Sequence, residues 1–78
     1  MKKLIEQIKK MVSKGSSIDV HSLNYLSKKE GCKIPEKTME RIKSKAHVHT
    51  YKTGSANNSI VETLALDRDK TIRILEEE

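Results

Sequence analysis

The sequence predicts an α+β fold: a bundle of three short helices followed by a small antiparallel β-hairpin, forming a single domain over residues 1–78. Three observations carry this expectation. Apolar residues recur with helical spacing through the first 46 positions, then change to a two-residue alternation after Ala46. Gly15, Gly31 and Pro35 punctuate the helical part into three segments. A chain of 78 residues whose only aromatics are Tyr25 and Tyr51 has material for one aliphatic core.

In the first segment Met1, Leu4, Ile5, Ile8, Met11 and Val12 follow one helical face, while Lys2, Lys3, Glu6, Lys9, Lys10 and Lys14 occupy the other. Gly15 stands where a helix-closing residue belongs. Ser16, Ser17 and Ile18 form a connector able to hold a brief extended stretch. Asp19 is placed to cap a second helix, its carboxylate accepting free amides at the positive helix end. Val20, Leu23 and Leu26 mark that helix's buried side, with Tyr25 at its edge, and Gly31 ends it. Pro35 suits the start of a third helix, where its missing N–H costs nothing, and Glu36 suits the dipole there. Met39, Ile42 and Ala46 supply the inward stripe of the third helix. Lys37, Thr38, Arg41, Ser44 and Lys45 are expected along its outward side.

Residues His47 to Thr53 read as a strand and Gly54 to Asn58 as a loop of turn-forming residues. Two readings stand for residues 59–78. As a helix, Ser59 and Glu62 form a capping box, and Val61, Leu64, Ala65, Ile72 and Leu75 share a face. As a hairpin, Ile60, Leu64 and Leu66 alternate in one strand, Ile72 and Ile74 in the next, and Asp67–Lys70 make the turn. The hairpin is favoured. Two Asp residues in mid-helix are poor helix formers, and three terminal Glu residues oppose the negative end of a helix dipole.

Composition narrows the function. A chain this short buries roughly 60% of the surface its unfolded form exposes, which leaves no room for a dinucleotide or haem cavity, so no cofactor is expected. One cysteine, Cys32, cannot form an intrachain disulfide. No apolar run approaches the roughly 18 residues of a membrane span, so cytoplasmic residence and no membrane partner are expected. The net charge of +5 is unevenly spread. Residues 1–45 hold 12 Lys/Arg against 5 Asp/Glu, and residues 46–78 hold 4 against 6. The helical half is therefore the cationic half, as a surface for a polyanion requires.

Three helices followed by a β-hairpin is the element order of winged helix-turn-helix proteins. The segment IPEKTMERIK, with Pro35, Thr38, Met39 and Arg41, resembles the opening of the recognition helix in bacterial, phage and archaeal regulators of that family. The resemblance is carried by Val20 to Lys45 and, beyond it, by element order. Its turn, Gly31-Cys32-Lys33-Ile34, is longer than the common version by a residue or two, and Ser27 or Asn24 stands for the usual small residue in the preceding helix. The resemblance implies a transcriptional regulator, acting as repressor or accessory factor, that lays the helix at 35–45 in the major groove of double-stranded DNA. It also implies roles. Arg41 would pair with a guanine edge, Lys37, Lys43 and Lys45 would find phosphates, and Thr38 and Ser44 would touch phosphate or a thymine methyl. Lys52, Ser55, Asn57 and Asn58 would form the wing tip. A homodimer is expected, with the C-terminal segment as the dimer element, because one small module rarely supplies enough specificity alone. The lysine-rich, asparagine-bearing style suits a virus or mobile element.

His47 and His49, two apart on a strand, would point the same way, with Cys32 or His21 as further donors. The paired spacing of zinc sites is absent, and no metal is expected. No paired base, orienting carboxylate, nucleophile motif or Gly-rich phosphate loop is present, so no enzymatic activity is expected. A rival reading of a different class is a protein-interaction module, such as a phage-encoded inhibitor that docks on a host protein. In that reading Asp67, Asp69 and Glu76–Glu78 form an acidic surface for a basic partner.

Overall fold

The computed structural model describes residues 1–54 and 60–78, and it is an α+β fold with four helices and a three-stranded antiparallel sheet. The order is α1 (Lys2–Met11), β1 (Ser17–Asp19), α2 (Val20–Lys29), α3 (Glu36–Lys45), β2 (His47–Gly54), β3 (Ile60–Asp67) and α4 (Arg68–Glu76). In the sheet β3 is central, flanked by β1 and β2. No helix among the described residues is long and apolar enough to cross a membrane.

Leu4, Ile8, Leu23, Ile42, Leu66 and Leu75 are fully buried. They come from α1, α2, α3, β3 and α4, so every helix and the central strand contribute to one cluster. Burial of each such side chain contributes about 1.5–3 kcal/mol. Val20, Leu23 and Leu26 face inward on α2, and Ile42 and Ala46 do so on α3, with Met39 partly buried beside them, as the spacing predicts.

The first helix is shorter than expected. It ends at Met11, Val12 is extended, and Gly15 (φ +84°) serves a separate turn. Met11 is 62% exposed and lies off the core face. The cause is tertiary: Arg68 Nε–H donates to the Val12 carbonyl at 2.9 Å, and the Arg68 backbone N–H donates to Ser16 at 3.3 Å. These bonds draw the chain off the helix path and into β1. Asp19 then caps α2, accepting from the Ser22 N–H at 2.7 Å. Gly31 (φ +66°) closes that helix in the left-handed conformation that a side chain disfavours.

Between α2 and α3 the chain turns on Ser27. Its hydroxyl donates to the Cys32 carbonyl at 2.5 Å, while the Cys32 N–H donates to the Ser27 carbonyl at 3.0 Å. Ser27 is buried and Asn24 is exposed, so Ser27 is the small residue that seats the turn. Ile34, the last residue of the turn segment, is buried in the core.

The C-terminal expectation is half overturned. Ile60–Asp67 is a strand, but it pairs back onto β2, and Asp67–Lys70 is a helix start and not a hairpin turn. Both sequence arguments misjudged position. Asp67 is the N-cap, accepting from the Lys70 N–H at 2.9 Å, and Asp69 lies in the first turn, where carboxylates favour the helix dipole. Ile72, Ile74 and Leu75, with Thr71, are the buried side of α4, which packs on α1 and α3. The capping box involving Ser59 lies outside the described residues. Glu62 stands in β3.

A bulge in β2 changes the histidine geometry. His47 lies opposite Leu66, but His49 lies opposite Ala65, so Val48 is an inserted residue. Leu66 and Ala65 are neighbours on one strand and face opposite sides of the sheet. His47 therefore shares a face with Thr50, whose Oγ1 is 2.7 Å from its Nε2. His49 shares the other face with Tyr51, their ring centroids 5.4 Å apart. The expectation that His47 and His49 point the same way is corrected.

Candidate nucleic-acid interface

Helix α3 is built by a short sequence that leaves few choices. Ile42 and Ala46 lock one side into the core, and Glu36 lies at the positive end of the helix. At 3.6 residues per turn most of the remaining side chains fall into two stripes, with Lys43 exposed outside both. Lys37, Glu40 and Ser44 form an outward stripe, all exposed. Thr38, Arg41 and Lys45 form a second stripe directed toward α4, against which α3 packs.

The five expected recognition-helix residues are thus not one surface. Lys37 and Ser44 stand on the open face with Glu40 between them, a carboxylate that lowers the local positive potential. Thr38 is a correction. It is buried at 3% exposure, and its hydroxyl donates to the Glu78 carboxylate, so it is unavailable to a base or phosphate. Its threonine methyl and short side chain suit the packed side of a helix, and a Thr among Lys and Glu carries no mark that tells inward from outward.

Arg41 is exposed but already partnered. Its Nη2 lies 2.7 Å from Glu77 Oε2, in a pair whose side chains are 43% and 58% exposed. Exposed pairs of this kind contribute about 0.2–1 kcal/mol, weak enough for another anion to replace the carboxylate. Arg41 and Lys45 then line a groove of about 200 Å³ with Lys70, Arg73, Ile74 and Glu77. Sequence reasoning missed Lys70 and Arg73. The helix reading of the C-terminal segment could have found them, because positions 70, 73, 74 and 77 follow the spacing of one helical stripe.

Lys52 is exposed on β2 and lies opposite Glu62 of β3, so the two charges offset each other at that point of the hairpin. Ser55, Asn57 and Asn58 lie outside the described residues. His47 and His49 diverge across the sheet. Among the described residues no group of three or more His, Cys, Asp or Glu is close enough to hold a metal ion.

What the arrangement can do is bind an anion over an extended surface. Arg41 and Lys45 of α3 share one groove with Lys70 and Arg73 of α4, and Lys37 stands apart on the open face of α3. Guanidinium groups give paired, directional bonds to phosphate, and lysines give adaptable point charges. Set beside known proteins, the chain matches no family model, no curated protein and no solved structure.

Proposed function

We propose that the chain is a winged-helix DNA-binding protein acting as a transcriptional regulator, a repressor or accessory factor without enzymatic activity. One observation carries this reading: the chain order α1-β1-α2-α3-β2-β3-α4, with the sheet order β1-β3-β2. That order sets a helix pair joined by a turn directly before a β-hairpin, and the second helix of the pair is the cationic α3. Lys37 and Ser44 would face the major groove, with Arg41 at the rim able to exchange Glu77 for a guanine edge or a phosphate. Contacts from Asn57 and Asn58 to the neighbouring backbone belong to the proposal, in keeping with the wing that the resemblance implies. Binding as a homodimer belongs to the proposal, because one module of this size rarely gives enough specificity. The apolar side of α4 is buried within the chain, so the dimer would form through a surface other than that side.

The test is a gel-shift and anisotropy series on double-stranded DNA over increasing salt. A steep fall of affinity with salt and a preferred site selected from random duplexes support the regulator. In that system Arg41→Ala weakens the selected site more than random DNA, while Lys45→Ala weakens both evenly and flattens the salt slope by about 1. Absence of retention near about 50 mM salt overturns the reading.

A second reading is favoured by a different observation. Met11 and Tyr25 are 62% and 64% exposed and line one groove with Val12, Ile18 and Leu26. Two exposed apolar side chains beside the polar Ser17, Asp19 and Ser22 suit a protein-interaction module, such as an inhibitor docking on a host protein. If Met11→Ser and Tyr25→Ser leave DNA retention unchanged but abolish a protein complex, the second reading takes precedence.

A further inference from the structure

The groove between α3 and α4 brings Arg41 and Lys45 of one helix against Lys70 and Arg73 of the other, with a single carboxylate, Glu77, among them. Among the described residues only Arg41 of these four cations has an acidic partner, and that partner is Glu77 at 2.7 Å. Four cationic side chains against one carboxylate make this lining net positive, and an anion seated there is attracted to it. We propose that this groove is a phosphodiester-binding site for nucleic-acid backbone, and that Glu77 occupies it as an internal anion until DNA displaces it. The proposal rests on the DNA-binding reading and adds to it a site on α4 and a gate.

Three features of the geometry support the exchange. Arg41 presents a planar fork suited to phosphate, and Glu77 engages it through one described bond, leaving donors for a better-matched ligand. The pair is open to solvent, so the carboxylate can leave without exposing apolar surface. Glu77 follows Glu76, the last residue of α4, so its departure unwinds no helix. Glu78 remains tied to Thr38 on the neighbouring side of α3, which keeps the displaced carboxylate close and the closed state ready to reform.

The experiment measures fluorescence anisotropy of a labelled mixed-sequence duplex of about two helical turns, across a salt series. Glu77→Gln keeps the size and helix propensity of the side chain and removes the internal anion. It is expected to tighten binding by up to about fivefold, the ceiling set by the strength of an exposed ion pair. Glu6→Gln, on α1 and outside the groove, makes the same change in net charge and is expected to tighten binding less. The double variant K70Q/R73Q is expected to weaken binding at least tenfold and to flatten the logarithmic salt slope by about 2, one for each lost phosphate contact. The side-chain Nε–Hε resonances of Arg41 and Arg73, followed by nuclear magnetic resonance, are expected to shift together as duplex is added.

Equal effects of Glu77→Gln and Glu6→Gln overturn the gate. Unchanged affinity and salt slope in K70Q/R73Q overturn the site, and if Lys37→Gln still weakens binding, the DNA-binding reading survives without it. Duplex binding by Glu77→Gln but not by the native chain overturns the exchange, because DNA then fails to displace the Glu77 carboxylate. No binding by either form overturns the site and the underlying reading together.

Discussion

The hydroxyl of Thr38 donates a hydrogen bond to the carboxylate of Glu78, joining the inner side of α3 to the residues that follow α4, forty positions along the chain. A second link beside it, Arg41 to Glu77, makes the junction bidentate at the level of the helix. The two acidic residues are therefore structural partners of α3 as well as surface charge.

The Thr38–Glu78 bond is testable as a coupling. Thr38→Val keeps the shape and removes the hydroxyl, and Glu78→Ala removes the acceptor. Each is expected to destabilise the fold by about 1 kcal/mol, and in a domain of this size about 1 kcal/mol lowers the melting temperature by roughly 4–8 °C. The double variant is expected to cost less than the two single changes together, by about 0.5–1 kcal/mol, when measured by chemical denaturation. Strict additivity would show that the two groups do not interact.

Ser27 has a different task. Its buried hydroxyl satisfies the Cys32 carbonyl in the turn between α2 and α3, so Ser27→Ala leaves that acceptor without its partner. The expected loss is about 1–3 kcal/mol, read as a lower urea midpoint with an unchanged m-value. Asn24→Ala, at an exposed position of the same helix, is expected to change stability by less than about 0.5 kcal/mol.

Asp67 ends the central strand and caps α4. Replacement by Ala removes the acceptor for the Lys70 N–H and is expected to cost about 0.5–2 kcal/mol, whereas Asp67→Asn retains most of the stability. Thermal melts followed by circular dichroism separate these outcomes. Equal melting temperatures for the Ala variant and the native chain would rule out the cap.

Leu66 is fully buried where the sheet meets the helices. Leu66→Ala is expected to cost about 2–5 kcal/mol. Against a total stability on the order of 5–15 kcal/mol that change removes much of the margin, and the cooperative melt broadens or disappears. Leu66→Met, close in volume, is expected to keep a sharp transition.

How far the sequence alone leads depends on where the deciding contacts lie. Asp19, Val20, Leu23, Leu26 and Gly31 mark α2 because capping, apolar spacing and left-handed closure are local properties. The same holds for Pro35, Glu36 and Ile42 in α3, and for the change of period after Ala46. Other features were decided at a distance. Val12 is extended because Arg68 binds its carbonyl from 56 positions away. The three final Glu residues looked hostile to a helix end, yet α4 stops at Glu76, and Glu77 and Glu78 find partners on α3. The candidate site divides along the same line. Lys37 and Ser44 are exposed as their spacing implies, whereas the inward turn of Thr38 follows from α4, an element that the sequence left ambiguous. Val48 illustrates a third kind of surprise, since one inserted residue reverses the facing of a histidine without altering the local character of the strand.

The central place of β3 in the sheet sets a timetable for the nascent chain. Ser17 of β1 pairs with Asp67, so the first strand to emerge waits for roughly 50 further residues before its partner exists. At about 5–20 residues per second that interval is several seconds, far longer than the microseconds a helix needs to form. Throughout it the parts of the α1 and α2 apolar faces that β3 and α4 cover in the finished fold lack those partners. A chaperone or the ribosome surface has its opportunity in that interval, and it closes once α4 docks.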